Sequence, residues 1–280
     1  MKVVKTVAEL RRELETISPE GLGFVPTMGA LHEGHLSLVE RARKENQTVV
    51  VSVFVNPTQF NDPNDLRNYP RTPEADAAML ETAGVDIVFM PSVEEMYPTP
   101  DTRVFDFGTI DKVMEGATRP GHFNGVAQVV SRLFDMVRPA RAYFGEKDFQ
   151  QIAVIKAMVR QLGICIEIVP CPIVRGEDGL ALSSRNTLLT PEYRAAAPQI
   201  YAALKAGVEA VDTKTPAEVV TIIKNGIEQS GLLRAIYVEM VDGDTLQSVH
   251  DWSASEGGHI QCCVAVQAGD VRLIDNIRMV

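Results

Sequence analysis

The chain has 280 residues, 45% hydrophobic and 23% charged, with a formal net charge of −10 at pH 7. That length can bury one large core or two moderate ones. The acidic balance argues against a broad nucleic-acid surface, which needs clustered cations, but leaves room for a small phosphate pocket. No apolar run approaches the roughly 20 residues that span a bilayer. The opening Met1-Lys2-Val3-Val4-Lys5-Thr6 has no signal-peptide core, and Glu9, Glu13 and Glu15 argue against a transit peptide. A cytoplasmic protein without membrane or nucleic-acid partners is expected. Cys165, Cys171, Cys262 and Cys263 fit neither a zinc site nor a disulfide framework, so buried, reduced thiols are expected.

Short apolar runs alternate with helical spacing in the first part of the chain, the pattern of βαβ units around a parallel sheet. Residues 23–27 predict a strand, followed by a loop and a helix from about 34 to 45. Residues 48–55 (TVVVSVFV) predict a central strand buried on both faces. A helix is expected at 73–83, a strand at 85–90, a helix at 122–137, a strand at 140–144, a helix at 148–162 and a strand at 164–169. After Pro170-Cys171-Pro172 the texture changes. Helices at 191–211 and 216–229 precede strands at 235–241, 259–268 and 271–276. The expected fold class is α/β, with a Rossmann-like parallel-sheet domain over 1–172 and a smaller α+β domain over 173–280.

Open parallel sheets bind ligands beyond the carboxyl ends of their strands. Met28-Gly29-Ala30-Leu31-His32-Glu33-Gly34-His35 follows the first such strand. Two histidines opening a helix present their rings beside its positive end, and Gly34 lets a flat ligand or a phosphate approach the backbone. Imidazole donors there would stabilise charge on a phosphate. The same spacing also suits a polar first turn or half a metal site, and spacing alone leaves these open.

His-x-Gly-His after a first strand resembles the signature of the nucleotidyltransferase superfamily, which includes the class I aminoacyl-tRNA synthetases. The longer string from Pro26 to His35 is similar to that of the pantoate–β-alanine ligase (pantothenate synthetase) family. Further segments match that family in the same order: residues 54–60 (FVNPTQF), 69–72 (YPRT), 145–151 (GEKDFQQ) and 178–186 (DGLALSSRN). The resemblance continues to Arg272-Leu273-Ile274-Asp275-Asn276.

This resemblance implies an ATP-dependent condensation of pantoate with β-alanine through a pantoyl adenylate, releasing AMP and pyrophosphate, within pantothenate and coenzyme A biosynthesis. It implies an ATP-binding set of Met28, Gly29, Ala30, Leu31, His32, Glu33, Gly34, His35, Gly145, Glu146, Lys147, Asp148, Val174, Leu182, Ser183, Ser184 and Arg185. His32, His35 and Lys147 form the expected catalytic set. The family treats His35 as the acid at the phosphate, although attack by a carboxylate requires no proton transfer. Lys147 would neutralise the triphosphate, and Asp148 would cap a helix or orient magnesium-bound water.

Gln59 and Gln151 are the implied contacts to pantoate, with β-alanine close by. Without the motif they read as a surface-loop residue and an exposed first-turn residue. Leu182-Ser183-Ser184-Arg185 would act as a lid loop gripping the β- and γ-phosphates, the task of the lysine–serine loop in the synthetases. Arg119-Pro120-Gly121-His122-Phe123-Asn124-Gly125-Val126 also resembles the family, with His122 and Asn124 read as structural helix caps. Mg²⁺ is expected with ATP, its protein ligands unassigned, and a homodimer is expected through the first domain. Two other classes are compatible with the His-x-Gly-His loop. A different nucleotidyltransferase would lack Gln59 and Gln151, and a regulatory nucleotide-binding module would not need Lys147, Ser183, Ser184 and Arg185 together.

Overall fold

Lys2–Val4 forms strand β1, and Val7–Leu14 forms helix α1, closed by a capping box between Thr6 and Glu9. Then come β2 (Leu22–Thr27), α2 (Glu33–Glu45), β3 (Thr48–Val53), α3 (Pro63–Asn68), α4 (Pro73–Thr82), β4 (Ile87–Phe89) and α5 (Val93–Met96). After α6 (Met114–Thr118) the chain continues through α7 (His122–Val137), β5 (Arg141–Gly145), α8 (Phe149–Leu162) and β6 (Glu167–Cys171). The last elements are α9 (Pro191–Ala196), α10 (Gln199–Ala210), α11 (Pro216–Glu228), β7 (Leu233–Asp242), β8 (Ile260–Ala268) and β9 (Val271–Arg278). They come from a computed structural model that describes residues 1–254 and 259–280.

Two compact units divide the chain. The first comprises Met1–Phe107, Arg119–Glu146 and Gln151–Pro172, and the second Gly108–Thr118, Lys147–Gln150 and Ile173–Val280. A division by chain position alone does not assign residues 108–118 and 147–150 to the second unit, where Gln150 and Glu115 find their partners. Gln150 donates to the carbonyls of Ile110 (2.7 Å) and Val113 (2.8 Å) and accepts from Glu115 N–H (3.0 Å). The Glu115 carboxylate accepts from Tyr237 OH (3.1 Å) and pairs with Arg272.

In the first unit a six-stranded parallel sheet has the order β1-β4-β3-β2-β5-β6. Val49, Val50, Val51 and Ser52 of β3 are buried, as a central strand covered on both faces requires. Val25, Val49 and Val51 pack with Leu38, Val39 and Ala42 of α2. Phe24 and Phe144 meet Phe134 of α7 edge-on. Each such buried side chain contributes about 1.5–3 kcal/mol.

From β2 the chain steps to β3 and β4 in one direction and takes β5 and β6 in the other. The topological switch point therefore lies between β2 and β5, where open sheets bind ligands. Their pairing is confined to Gly23↔Arg141 and Phe24↔Ala142, so the carboxyl ends of the two strands are unpaired with each other. Pro26, which has no N–H, lies where β2 has a partner on one side only.

In the second unit β7, β8 and β9 form an antiparallel meander. Its core joins Leu204, Ile223 and Ile227 from helices α10 and α11 to Cys262, Val264 and Val266 of β8. The expected helix at 191–211 is two helices, because Pro198 cannot donate to the preceding turn. The strand expected at 164–169 begins at Glu167, since Gly163 (φ +62°) ends α8 in a turn that uses the next residues. Cys165 lies in that turn and is exposed, which corrects the expectation of four buried thiols. Cys171, Cys262 and Cys263 are buried, and burial pushes the Cys171 thiol up to about 11. Among the described residues no helix is long and apolar enough to cross a membrane.

Candidate active site

The loop after β2 is held by its own backbone geometry and by one distant carboxylate. Thr27 Oγ1 donates to the Ser52 carbonyl (2.7 Å) and accepts from Gly29 N–H (3.3 Å). Gly29 (φ +79°) and Ala30 (φ +48°) are both left-handed, and a Cβ at Gly29 would sit 2.9 Å from Val53 Cγ1. For alanine this conformation costs roughly 1–2 kcal/mol. Asp76, only 1% exposed, offsets that cost by accepting from Ala30 N–H (3.0 Å), Leu31 N–H (2.8 Å) and Thr72 Oγ1 (3.1 Å). Sequence reasoning passed over Asp76. Its signal was a charge one turn before Leu80, on the face of α4 that is buried.

His32 and His35 form a capping box from imidazoles. Gly34 N–H donates to His32 Nδ1 (3.1 Å), and His32 N–H donates to His35 Nδ1 (3.3 Å). A nitrogen that accepts carries no proton, so each neutral ring keeps its hydrogen on Nε2. The rings lie 4.1 Å apart between centroids. This arrangement sets two imidazole rings at a helix N-terminus, which suits charge stabilisation on an anion. Met28, Leu31 and Glu33 belong to the same loop and first turn.

Gln59 is buried, 8% exposed, so its reading as a surface glutamine is replaced. It ends a 3₁₀ turn, Pro57–Gln59, that follows β3. Its Oε1 accepts from Asn56 Nδ2 (3.1 Å), while its Nε2 lies 3.0 Å from Met28 Sδ. Asn56 is itself oriented, because Nδ2 donates to the Gly125 carbonyl (3.2 Å) and Oδ1 accepts from Tyr97 OH (2.9 Å). The amide of Gln59 is thereby turned with its oxygen satisfied and its hydrogens on the side of the Met28 loop. Gln151, half-buried, stands in the first turn of α8, after β5 and the Gly145-Glu146 turn.

His122 and Asn124 do not cap α7, whose N-cap is Gly121 without a side-chain bond. His122 Nδ1 lies 2.7 Å from the Gln59 carbonyl, and Asn124 bonds Phe105 N–H (2.9 Å) and the Arg103 carbonyl (3.1 Å). Both hold neighbouring segments against the start of the helix.

The second unit carries Lys147, Asp148, Val174, Leu182, Ser183, Ser184 and Arg185. Lys147 Nζ pairs with Asp148 Oδ1 at 3.1 Å, and the Lys147 carbonyl accepts from Asn276 Nδ2 (3.1 Å). Ser183 caps the 3₁₀ turn Ser184–Leu188 by accepting from Arg185 N–H (3.3 Å), and Ser184 is buried. The segment leading to it folds back on itself. Leu182 N–H donates to the Val174 carbonyl (3.0 Å), and Gly176 N–H to the Leu180 carbonyl (2.9 Å).

Arg175 anchors this hairpin through two bonds to Asp275 (2.6 and 2.8 Å) and lies 3.9 Å over the Tyr201 ring. Asp275 and Asn276 are consecutive on β9, so one point of that strand fixes both Lys147 and the hairpin bearing Ser183, Ser184 and Arg185. Burial pushes the Asp275 carboxyl above its ordinary range, and the Arg175 guanidinium pulls it back. Among the described residues no group of three or more His, Cys, Asp or Glu could hold a metal ion.

Residues 2–278 match the family model described as pantoate-beta-alanine ligase. The chain belongs to the pantoate–β-alanine ligase family. It is 55% identical over 280 residues to a pantothenate synthetase of Bacteroides fragilis, covering 99% of each chain. Its fold is similar to the crystal structure of pantothenate synthetase from Thermus thermophilus, with a TM-score of 0.93, 50% identity and 99% of each chain covered. A Francisella tularensis pantoate-beta-alanine ligase, described as complexed with beta-gamma ATP and beta-alanine, aligns with a TM-score of 0.83 at 35% identity. There 99% of this chain and 97% of that one are covered. A chain of this family is a carbon–nitrogen ligase that joins the carboxylate of pantoate to the amine of β-alanine, so the other two functional classes are set aside.

Proposed function

We propose that the enzyme activates pantoate with MgATP as a pantoyl adenylate and then transfers the pantoyl group to β-alanine. A carboxylate oxygen of pantoate attacks the α-phosphorus, and the breaking P–O bond leaves its electron pair on pyrophosphate. The neutral amine of β-alanine attacks the acyl carbon, AMP departs, and the amine nitrogen loses its second proton to solvent. The observation that carries this reading is the Met28–His35 loop at the β2/β5 switch point, fixed by Asp76 and bearing the paired imidazoles of His32 and His35 at a helix N-terminus. The ATP and β-alanine named for the Francisella relative support the same substrates here.

In this scheme Met28, Gly29, Ala30, Leu31, Glu33 and Gly34 receive the nucleotide. His32 and His35 stabilise the α-phosphate by hydrogen bonds, without proton transfer. Gly145, Glu146, Val174 and Leu182 line the nucleotide, and Lys147, Ser183, Ser184 and Arg185 take the charge of the leaving pyrophosphate. Mg²⁺ would accompany ATP and help neutralise its phosphates, and Asp148 would be the residue to offer it a carboxylate. Gln59 donates to a pantoate oxygen through Nε2, and Gln151 contacts the same substrate. Residues 1–172 would thus serve nucleotide and pantoate, and 173–280 the phosphate-gripping loop. We further propose a homodimer formed through the first domain and a cytoplasmic location.

Labelled pyrophosphate is expected to exchange into ATP when pantoate is present and β-alanine absent, because the adenylate forms before the amine is needed. Release of ADP and orthophosphate, or exchange that strictly requires β-alanine, would overturn the adenylate route. The glutamines have a separate signature. Gln59→Ala and Gln151→Ala should each raise the pantoate KM at least about tenfold, since each leaves substrate polar groups unpaired. Nucleotide affinity measured by calorimetry should move far less. Loss of ATP affinity with pantoate binding intact would reverse the assignment.

A further inference from the structure

Gln59 is fixed through its main chain as well as its amide. The Gln59 carbonyl receives His122 Nδ1 at 2.7 Å and Arg119 Nη2 at 3.4 Å, and Arg119 Nη1 lies 3.2 Å from His122 Nε2. A carbonyl oxygen only accepts and a guanidinium only donates. The two partners therefore select one form of the buried ring, with the proton on Nδ1 and Nε2 accepting from Arg119. This is the opposite tautomer to that of His32 and His35, reached by opposite backbone partners.

The local sequence builds the arrangement. Gly121 (φ +82°) turns the chain at the start of α7, and His122 N–H donates to the Arg119 carbonyl (3.1 Å), which places both side chains on one turn. Gly125, one turn on, lets the helix approach the Gln59 segment closely. A Cβ there would lie 2.4 Å from the Thr58 carbonyl oxygen and 2.9 Å from Gln59 Cα.

We infer that His122, held in its Nδ1–H form by Arg119, is a positioning residue that sets Gln59 for pantoate. This inference rests on the reading of Gln59 as a pantoate contact. His122 acts through the Gln59 backbone, so its loss changes where the amide sits without removing the amide itself. Its effect should appear in pantoate use and be absent from nucleotide use.

The test compares three substitutions with Gln59→Ala. The side-chain nitrogen of asparagine branches from the same carbon as imidazole Nδ1, whereas that of glutamine lies one bond further out. His122→Asn should therefore keep the pantoate KM within about threefold of the parent. His122→Gln and His122→Ala should raise it about tenfold or more, with the ATP KM within about twofold in all three. In a Gln59→Ala background, His122→Ala should add less than about twofold, because its route to the substrate is already gone.

Equal increases for asparagine and glutamine, parallel increases for ATP and pantoate, or full additivity with Gln59→Ala would each overturn the inference. An unchanged pantoate KM in Gln59→Ala alone would instead remove the reading of Gln59 on which it stands. Should His122→Ala fail to fold, the asparagine–glutamine comparison decides the matter.

Discussion

Replacing Lys147 with alanine is expected to slow adenylate formation about 10²–10³-fold, roughly 3–4 kcal/mol of transition-state stabilisation. The expectation comes from charge. Negative charge accumulates on the pyrophosphate oxygens as the P–O bond breaks, and a cation that meets it there acts more strongly on the transition state than on bound ATP. The fold should be nearly indifferent. The Lys147–Asp148 pair is partly exposed, and such pairs contribute about 0–1 kcal/mol. The bond from Asn276 goes to the Lys147 carbonyl, which the substitution leaves in place. Single-turnover formation of the adenylate, read beside a urea unfolding curve, separates the two effects. A normally folded variant with near-parental turnover would remove Lys147 from the mechanism.

Arg175→Ala should have the largest effect on stability, about 3–5 kcal/mol at neutral pH, because it strands a buried carboxylate. Asp275 is 4% exposed and receives two of its bonds from Arg175. Without the guanidinium, only the upward push of burial and weaker contacts act on the Asp275 carboxyl, so it is neutral in the fold to higher pH. A carboxyl raised in this way contributes stability that is full below its unfolded value, about 3.9, and lost as pH rises through its folded value. The deficit relative to the parent should therefore be smallest near pH 4 and grow toward pH 7. Denaturant titrations at both values check it. A deficit independent of pH would show that Arg175 acts through packing on Tyr201 alone. Ser183, Ser184 and Arg185 share the anchored hairpin, so turnover should fall with stability.

Elements that owe their form to local chemistry were legible in the residues. The run Thr48–Val53 could bury both faces only as a central strand, and α7 spans the residues its apolar spacing indicated. The two helices of 191–211 were run together because their apolar spacing continues through Pro198, where the missing N–H breaks the ladder. What remained hidden was long-range. Asp76 reaches backbone groups 45 and 46 residues away, and Arg175 meets Asp275 across 100. Neither partnership leaves a periodic trace. Gln59 was singled out by a motif, yet its burial follows from Asn56, Gly125 and His122, which come together only in the fold.

The order in which the ribosome adds residues does not match the order in which they find their partners. The six strands of the first sheet are complete once Cys171 has emerged, so most of that unit can form on the nascent chain. Glu115 must wait for Tyr237 and Arg272, translated 122 and 157 residues after it. Lys147 waits for Asn276, 129 residues behind it. A half-made polypeptide can therefore hold a finished sheet while the backbone of Lys147 still lacks its partner. Premature termination between β6 and β9 would give a product that keeps the His32–His35 loop but lacks the Asn276 amide that holds the Lys147 carbonyl.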